Sequence, residues 1–169
     1  MTESHKFISK NISPSIDIQD IPSDCKNMNW KELDDLLSQG HTIGCHTKSH
    51  ARLSQIYSDE DLQDEILSCS IEIREKLNIE VKHFAYPFGN VNSFSKKALE
   101  ISKQVFPFIH SGVRGENIKS NKTALIFRDA AGSPIFNNNL LSSFLDGFVD
   151  LKYKKARNIL KNWNTQLKE

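Results

Sequence analysis

From residue 29 onward, short apolar runs alternate with stripes of helical period, and few folds accept such a chain. The first stripe is Trp30, Leu33, Leu36 and Leu37. Asn29 opens it as an N-cap, Glu32 completes a capping-box pair, and Gly40 closes it. Residues 41–45 read as a short strand with Ile43 and Cys45 on one face. Ser58 caps a second helix whose first turn carries Asp59, Glu60 and Asp61. Its buried stripe is Leu62, Ile66, Cys69, Ile73 and Leu77, and Asn78 ends it. A strand over 81–86 stops at Pro87 and Gly89. A third helix fits 93–104, with Phe94, Ala98, Ile101 and Val105 on one side. Strands over 106–110 and 124–128 follow, separated by the turn SGVRGEN. Residues 139–164 are mostly helical, with Leu141, Phe144, Leu145, Phe148, Leu151, Ile159, Leu160 and Trp163 as apolar positions and Gly147 as a break. This is the pattern of βα units around a parallel sheet or barrel. In such folds functional side chains gather where strands end. His46, the YPFG turn and Arg128 all fall there, so one site built from separate segments is expected.

The ten residues His-Thr-Ile-Gly-Cys-His-Thr-Lys-Ser-His place His46 and His50 four apart. Neutral imidazole is the commonest protein ligand for a divalent metal, and this spacing within one helical turn puts both rings on one face. Thr47 and Ser49 suit a loop or a first helical turn, where their hydroxyls cap backbone N–H groups. The alternative is two surface histidines that lie close together. Neighbours in an extended segment point to opposite faces, which makes Cys45 a core residue and His46 the ligand. In Phe84-Ala-Tyr-Pro-Phe-Gly-Asn, Tyr86, Pro87 and Phe88 form an aromatic strand end and turn that suits the apolar face of a sugar ring. The Phe88 backbone N–H is a candidate oxyanion donor. Against this stands a tight turn that packs its aromatics into the core.

The 169 residues suffice for one domain with a core. A net charge of +1 with interspersed lysines and acids argues against nucleic acid or an anionic membrane as partner. The three cysteines, Cys25, Cys45 and Cys69, form no CxxC and are odd in number, which points to a reducing compartment. The start, MTESHKFISKN, has no apolar core of a signal peptide, and no run approaches the roughly 18 apolar residues of a membrane helix. The chain as written is therefore expected in the cytoplasm, unless an export signal was lost with its N-terminus. Residues 1–28 contain two prolines, scattered acids and brief apolar alternation near 16–18, and read as an irregular segment ahead of the domain at 29–165.

The stretch MNWKELDDLLSQGHTIGCHTKSHARLSQ resembles the histidine motif region of the NodB-type polysaccharide deacetylases, carbohydrate esterase family 4. FAYPFGN is similar to a later motif of that family, and IHSGVRGEN with ALIFRDA resembles its later strand region, where one branch carries an arginine at the place of Arg128. The resemblance spans about residues 28–130. It implies an α/β fold, a partial distorted (β/α) barrel of the NodB type. It implies a divalent metal, zinc first, held by His46 and His50 with an aspartate. It implies hydrolytic removal of acetyl groups (amide C–N bonds) from an N-acetylated polysaccharide or oligosaccharide. Phe88 matches the residue whose backbone N–H stabilises the oxyanion.

The family's first motif, a strand ending in two adjacent aspartates that supply the base and the third ligand, is missing. Asp34–Asp35 lies on a helix, and Asp17, Asp20 and Asp24 lack the strand context. Ala85 stands where many members have arginine, and no Leu-x-His motif supplies a general acid; His110 is the weak stand-in. The expectation is a C-terminal portion of such a deacetylase, with a companion chain or oligomer completing the barrel. Three readings stay open: a deacetylase that needs an aspartate pair from another segment, a non-catalytic carbohydrate-binding relic, and a metal-free structural α/β domain.

Overall fold

Capping and stripe position give the helices their bounds. The computed structural model describes residues 27–117, 124–128, 142–143 and 146–167. Helix α1, Trp30–Ser38, starts from a complete capping box: Glu32 N–H donates to Asn29 Oδ1 (3.0 Å) and Asn29 N–H to the Glu32 carboxylate (2.7 Å). Ser58 accepts from Asp61 N–H and opens α2, Asp59–Gln63. A π-helical turn, Asp64–Ser68, then leads into α3, Cys69–Leu77, which Asn78 stops in the left-handed conformation (φ +51°). Ser95 caps α4, Lys96–Val105. The last helix, α5, is Asp150–Gln166.

Strands β1 (His83–Ala85), β2 (Phe108–His110) and β3 (Ala124–Ile126) pair in parallel and in chain order. Cys45 adds one parallel bridge to Phe84 on the outer side of β1. Alternation along the strands separates the two faces. Phe84 and Ile109 are fully buried, while their neighbours His83, Ala85 and His110 are half-buried and Phe108 is exposed. The buried face packs with Leu62, Ile66, Leu99, Phe106 and Leu160 in one cluster, where the Phe84 and Phe106 rings stack at 5.1 Å. Each such large side chain contributes roughly 2 kcal/mol by burial.

Several expectations are corrected. The strand over 41–45 reduces to the bridge at Cys45, because only this residue exchanges hydrogen bonds with β1. The other strands keep three residues each; Phe106 caps α4 and fills the core instead of opening β2. The third helix starts later than residue 93, since Val91–Ser93 forms a 3₁₀ turn and Ser95 is the cap. Val105 is exposed. In α1 no residue is buried; its apolar stripe is half-covered. Gly147 (φ +95°) does interrupt the last helical pattern, and Phe148 and Leu151 beside it are 79% and 83% exposed. Leu160 is buried in α5, with Tyr153, Ala156 and Trp163 packed against the core. The expectations at residues 1–26, including Cys25, Asp17, Asp20 and Asp24, and at Leu141, Phe144 and Leu145 lie outside the described residues. Among the described residues no helix is long and apolar enough to cross a membrane, and the sheet is open.

Candidate metal and active site

His46 follows the bridge at Cys45, the Phe88 turn follows β1, His110 ends β2 and Arg128 follows β3, while His83 opens β1. Cys45 is seated by two backbone bonds, Cys45 N–H to His83 O (2.8 Å) and Ala85 N–H to Cys45 O (2.9 Å). Gly44 permits the approach, because a Cβ there would meet His83 Cβ and O at 3.0 Å. Cys45 turns inward and is 1% exposed. Its thiol faces that of Cys69; this contact and burial hold Cys45 far above the ordinary thiol range. Cys69, receiving that bond and one from the His46 backbone, is held below it.

His46 turns the other way. Its Nδ1 lies 2.7 Å from Ala85 O. A carbonyl only accepts, so Nδ1 carries the proton and Nε2 keeps its lone pair for a ligand. The His50 ring stands edge-on to His46 at 4.9 Å between centroids. No helical turn brings them together. Residues 46–50 form a loop in which Thr47 (φ +64°) and His50 (φ +59°) are both left-handed, and this backbone folds the second ring back onto the first. Thr47 is buried; His46 and His50 are exposed.

Phe88 joins the pair. Its ring lies 5.0 Å from that of His50, it is 53% exposed, and the Arg52 guanidinium sits 4.4 Å above it. Phe88 is itself left-handed (φ +65°), as is Gly89 (φ +67°). Gly112 N–H donates to Gly89 O (2.8 Å), and a Cβ on Gly112 would stand 2.8 Å from Gly89 Cα. The YPFG turn is thus pressed against the loop after β2 by backbone contact. Tyr86 and Pro87 belong to the core and not to a pocket wall. Tyr86 is 1% exposed and stacks on Phe94 at 4.1 Å, and Pro87 is fully buried. A ring stacked on Phe94 and 1% exposed offers nothing to a sugar. Burial also holds the Tyr86 phenol above its usual range, which keeps it protonated.

A cavity of about 360 Å³ opens beside His46, with His83, His110 and Arg128 in its wall. Arg128 is oriented by its Nε–H bond to Ser111 O (2.8 Å). His83 Nδ1 and His110 Nε2 are 2.9 Å apart, so one donates to the other. Burial, then the Arg128 charge and His83, hold His110 below the ordinary histidine value. His83 carries no motif signal; strand alternation, which places it on the same face as Ala85, was the clue available. Arg128 and His110 do reach the cavity that His46 lines, while His50 and Phe88 stand outside that wall. Asp34 and Asp35 are exposed on α1 and do not line this cavity.

The α/β domain thus carries two facing histidines and a neighbouring aromatic turn beside its parallel sheet. The family profile described as polysaccharide deacetylase matches residues 8–105, more than half of the chain, and the chain belongs to that family. The matched stretch begins upstream of Met28 and stops before β2. No curated protein matches the chain.

Proposed function

We propose that this chain is a metal-dependent hydrolase that removes acetyl groups from an N-acetylated polysaccharide or oligosaccharide, on a partial distorted barrel. The observation that carries the reading is the fixed tautomer of His46 with His50 beside it, in a member of a polysaccharide deacetylase family. Both rings suit a divalent ion of the zinc type, His46 through Nε2. No group of three His, Cys, Asp or Glu side chains placed to hold a metal is found among the described residues. In this reading the third ligand and the base would be an aspartate pair supplied by another segment or a companion chain. A bound ion supplies Lewis acidity to the acetyl carbonyl and makes water more acidic. The chain's own part is to orient. The Phe88 N–H donates to the developing oxyanion, the exposed Phe88 ring carries the sugar face, and Arg128 places positive charge in the cavity wall.

Zinc titration calorimetry on wild type, His46→Ala and His50→Ala tests the metal site. One-to-one binding abolished by either substitution is the expected result; no binding, or binding indifferent to both, sinks the reading. The carbohydrate-binding alternative draws on Phe88, exposed under Arg52. It predicts glycan binding that survives His46→Ala with no acetate released.

A further inference from the structure

A left-handed non-glycine residue costs of the order of 1 kcal/mol, and the histidine loop holds two of them within four positions. Such a loop persists only where its surroundings over-determine it. The partner that does so is Glu65. Lys48 N–H donates to Glu65 O (3.0 Å). Ser49 N–H donates to Glu65 Oε2 (2.9 Å), and Ser49 Oγ donates to Glu65 Oε1 (2.5 Å). One residue therefore accepts three bonds from the two positions that precede His50. The carboxylate is used through both oxygens, a charge-assisted and directional arrangement.

Glu65 can do this because of where it lies. It is the second residue of the π-helical turn Asp64–Ser68, inside a run that is otherwise α-helical. A π turn shifts the internal bonding register by one residue, so a carbonyl there is available to a donor from outside the helix. Its flanking neighbours anchor the turn: Ile66 is fully buried, and Ser68 Oγ donates to Asp64 Oδ1 (2.6 Å). Asp64 also meets Lys48 Nζ (2.9 Å), but both those side chains are about half exposed and water replaces such a pair readily. Glu65 is half-buried and binds main chain as well as side chain.

We propose that Glu65 is a positioning residue for the histidine pair: it clamps residues 48 and 49, holds the left-handed loop, and so sets His50 against His46. It acts through Ser49 and Lys48, not as a ligand, consistent with the lack of a three-residue metal group among the described residues. The inference rests on the metal reading for its functional meaning, while the clamp has its own readout.

The test uses the full chain as wild type, Glu65→Ala, Glu65→Gln and His50→Ala. Metal-free amide exchange reads the loop, zinc calorimetry reads the site, and thermal unfolding reads the global fold. Glu65→Ala is expected to speed exchange at Ser49 at least tenfold and to weaken zinc binding at least tenfold, while core amides stay protected. Glu65→Gln keeps an acceptor for Ser49 N–H and recovers most of both. His50→Ala loses zinc and keeps the Ser49 protection. Unchanged Ser49 exchange in folded Glu65→Ala overturns the clamp. Loosened exchange in a protein whose wild type binds no zinc upholds the clamp and sinks the metal reading alone. If Glu65→Ala does not fold, Ser49→Ala decides: faster exchange at residues 48–50 with the core intact supports the clamp, and none overturns it.

Discussion

Two loops leave the same edge of the sheet and carry the two halves of the candidate site, and they are held by different means. The histidine loop is tied chiefly by the Glu65 carboxylate, which holds Ser49, with one further bond from Lys48 N–H to the Glu65 backbone carbonyl. The Phe88 turn is held by backbone against backbone, where Gly89 and Gly112 meet with no side chain between them. Both need left-handed residues: Thr47 and His50 in one, Phe88 and Gly89 in the other. A clamp made of side-chain bonds can be loosened in steps. A seam made of backbone contact tolerates almost nothing. The half that would bind metal is therefore adjustable by substitution, and the half that would present the oxyanion donor is rigid.

The largest effect should come from the seam. In Gly112→Ala the new Cβ meets backbone, which cannot swing aside, so a loss of about 3 kcal/mol in denaturant unfolding is expected. An unchanged midpoint would mean the seam yields, and the contrast with the histidine loop would collapse. Acid gives an intermediate effect. His110, two residues before Gly112, is held below the ordinary histidine value, so the unfolded chain takes the proton more readily than the folded one. Its contribution is complete above about pH 6.5 and is lost as the pH falls through the folded value. The protection of the Gly112 amide, relative to its intrinsic exchange rate at each pH, should fall over that window, and His110→Gln should remove the fall; a fall that persists in the variant assigns it to another group. The smallest effect belongs to Lys48→Met. Its ion pair with Asp64 is exposed, so melting temperature and Ser49 exchange should both match wild type. A clear loosening would move part of the clamp from Glu65 to the surface pair.

Helix starts were legible because capping is local. Asn29 with Glu32, and Ser58 with its acidic first turn, form in the structure as the spacing indicates. Cys45 inside and His46 outside followed from alternation alone. Burial was less legible. The stripes of α1 and α4 look alike, yet α1 buries nothing and α4 buries Ala98, Leu99, Ile101 and Ser102. An amphipathic period says which side of a helix would face a core, not whether a core stands there. Tyr86 shows the same limit: aromatics in a turn read equally as pocket wall or core, and stacking on Phe94 decides for the core.

The sequence alone determined the helix caps, because capping depends on neighbours within a few positions, and its motifs pointed to the family. The tertiary structure alone decided the tautomer of His46, set by Ala85 O 39 residues away. It alone decided the left-handed path that brings His50 back, held by Glu65 16 residues beyond Ser49. It alone placed His83 beside His110, on separate strands. The physical reason is the same each time: a ring's protonation and a loop's strain are fixed by donors and acceptors that the fold brings in from distant segments, and local propensity carries no record of them.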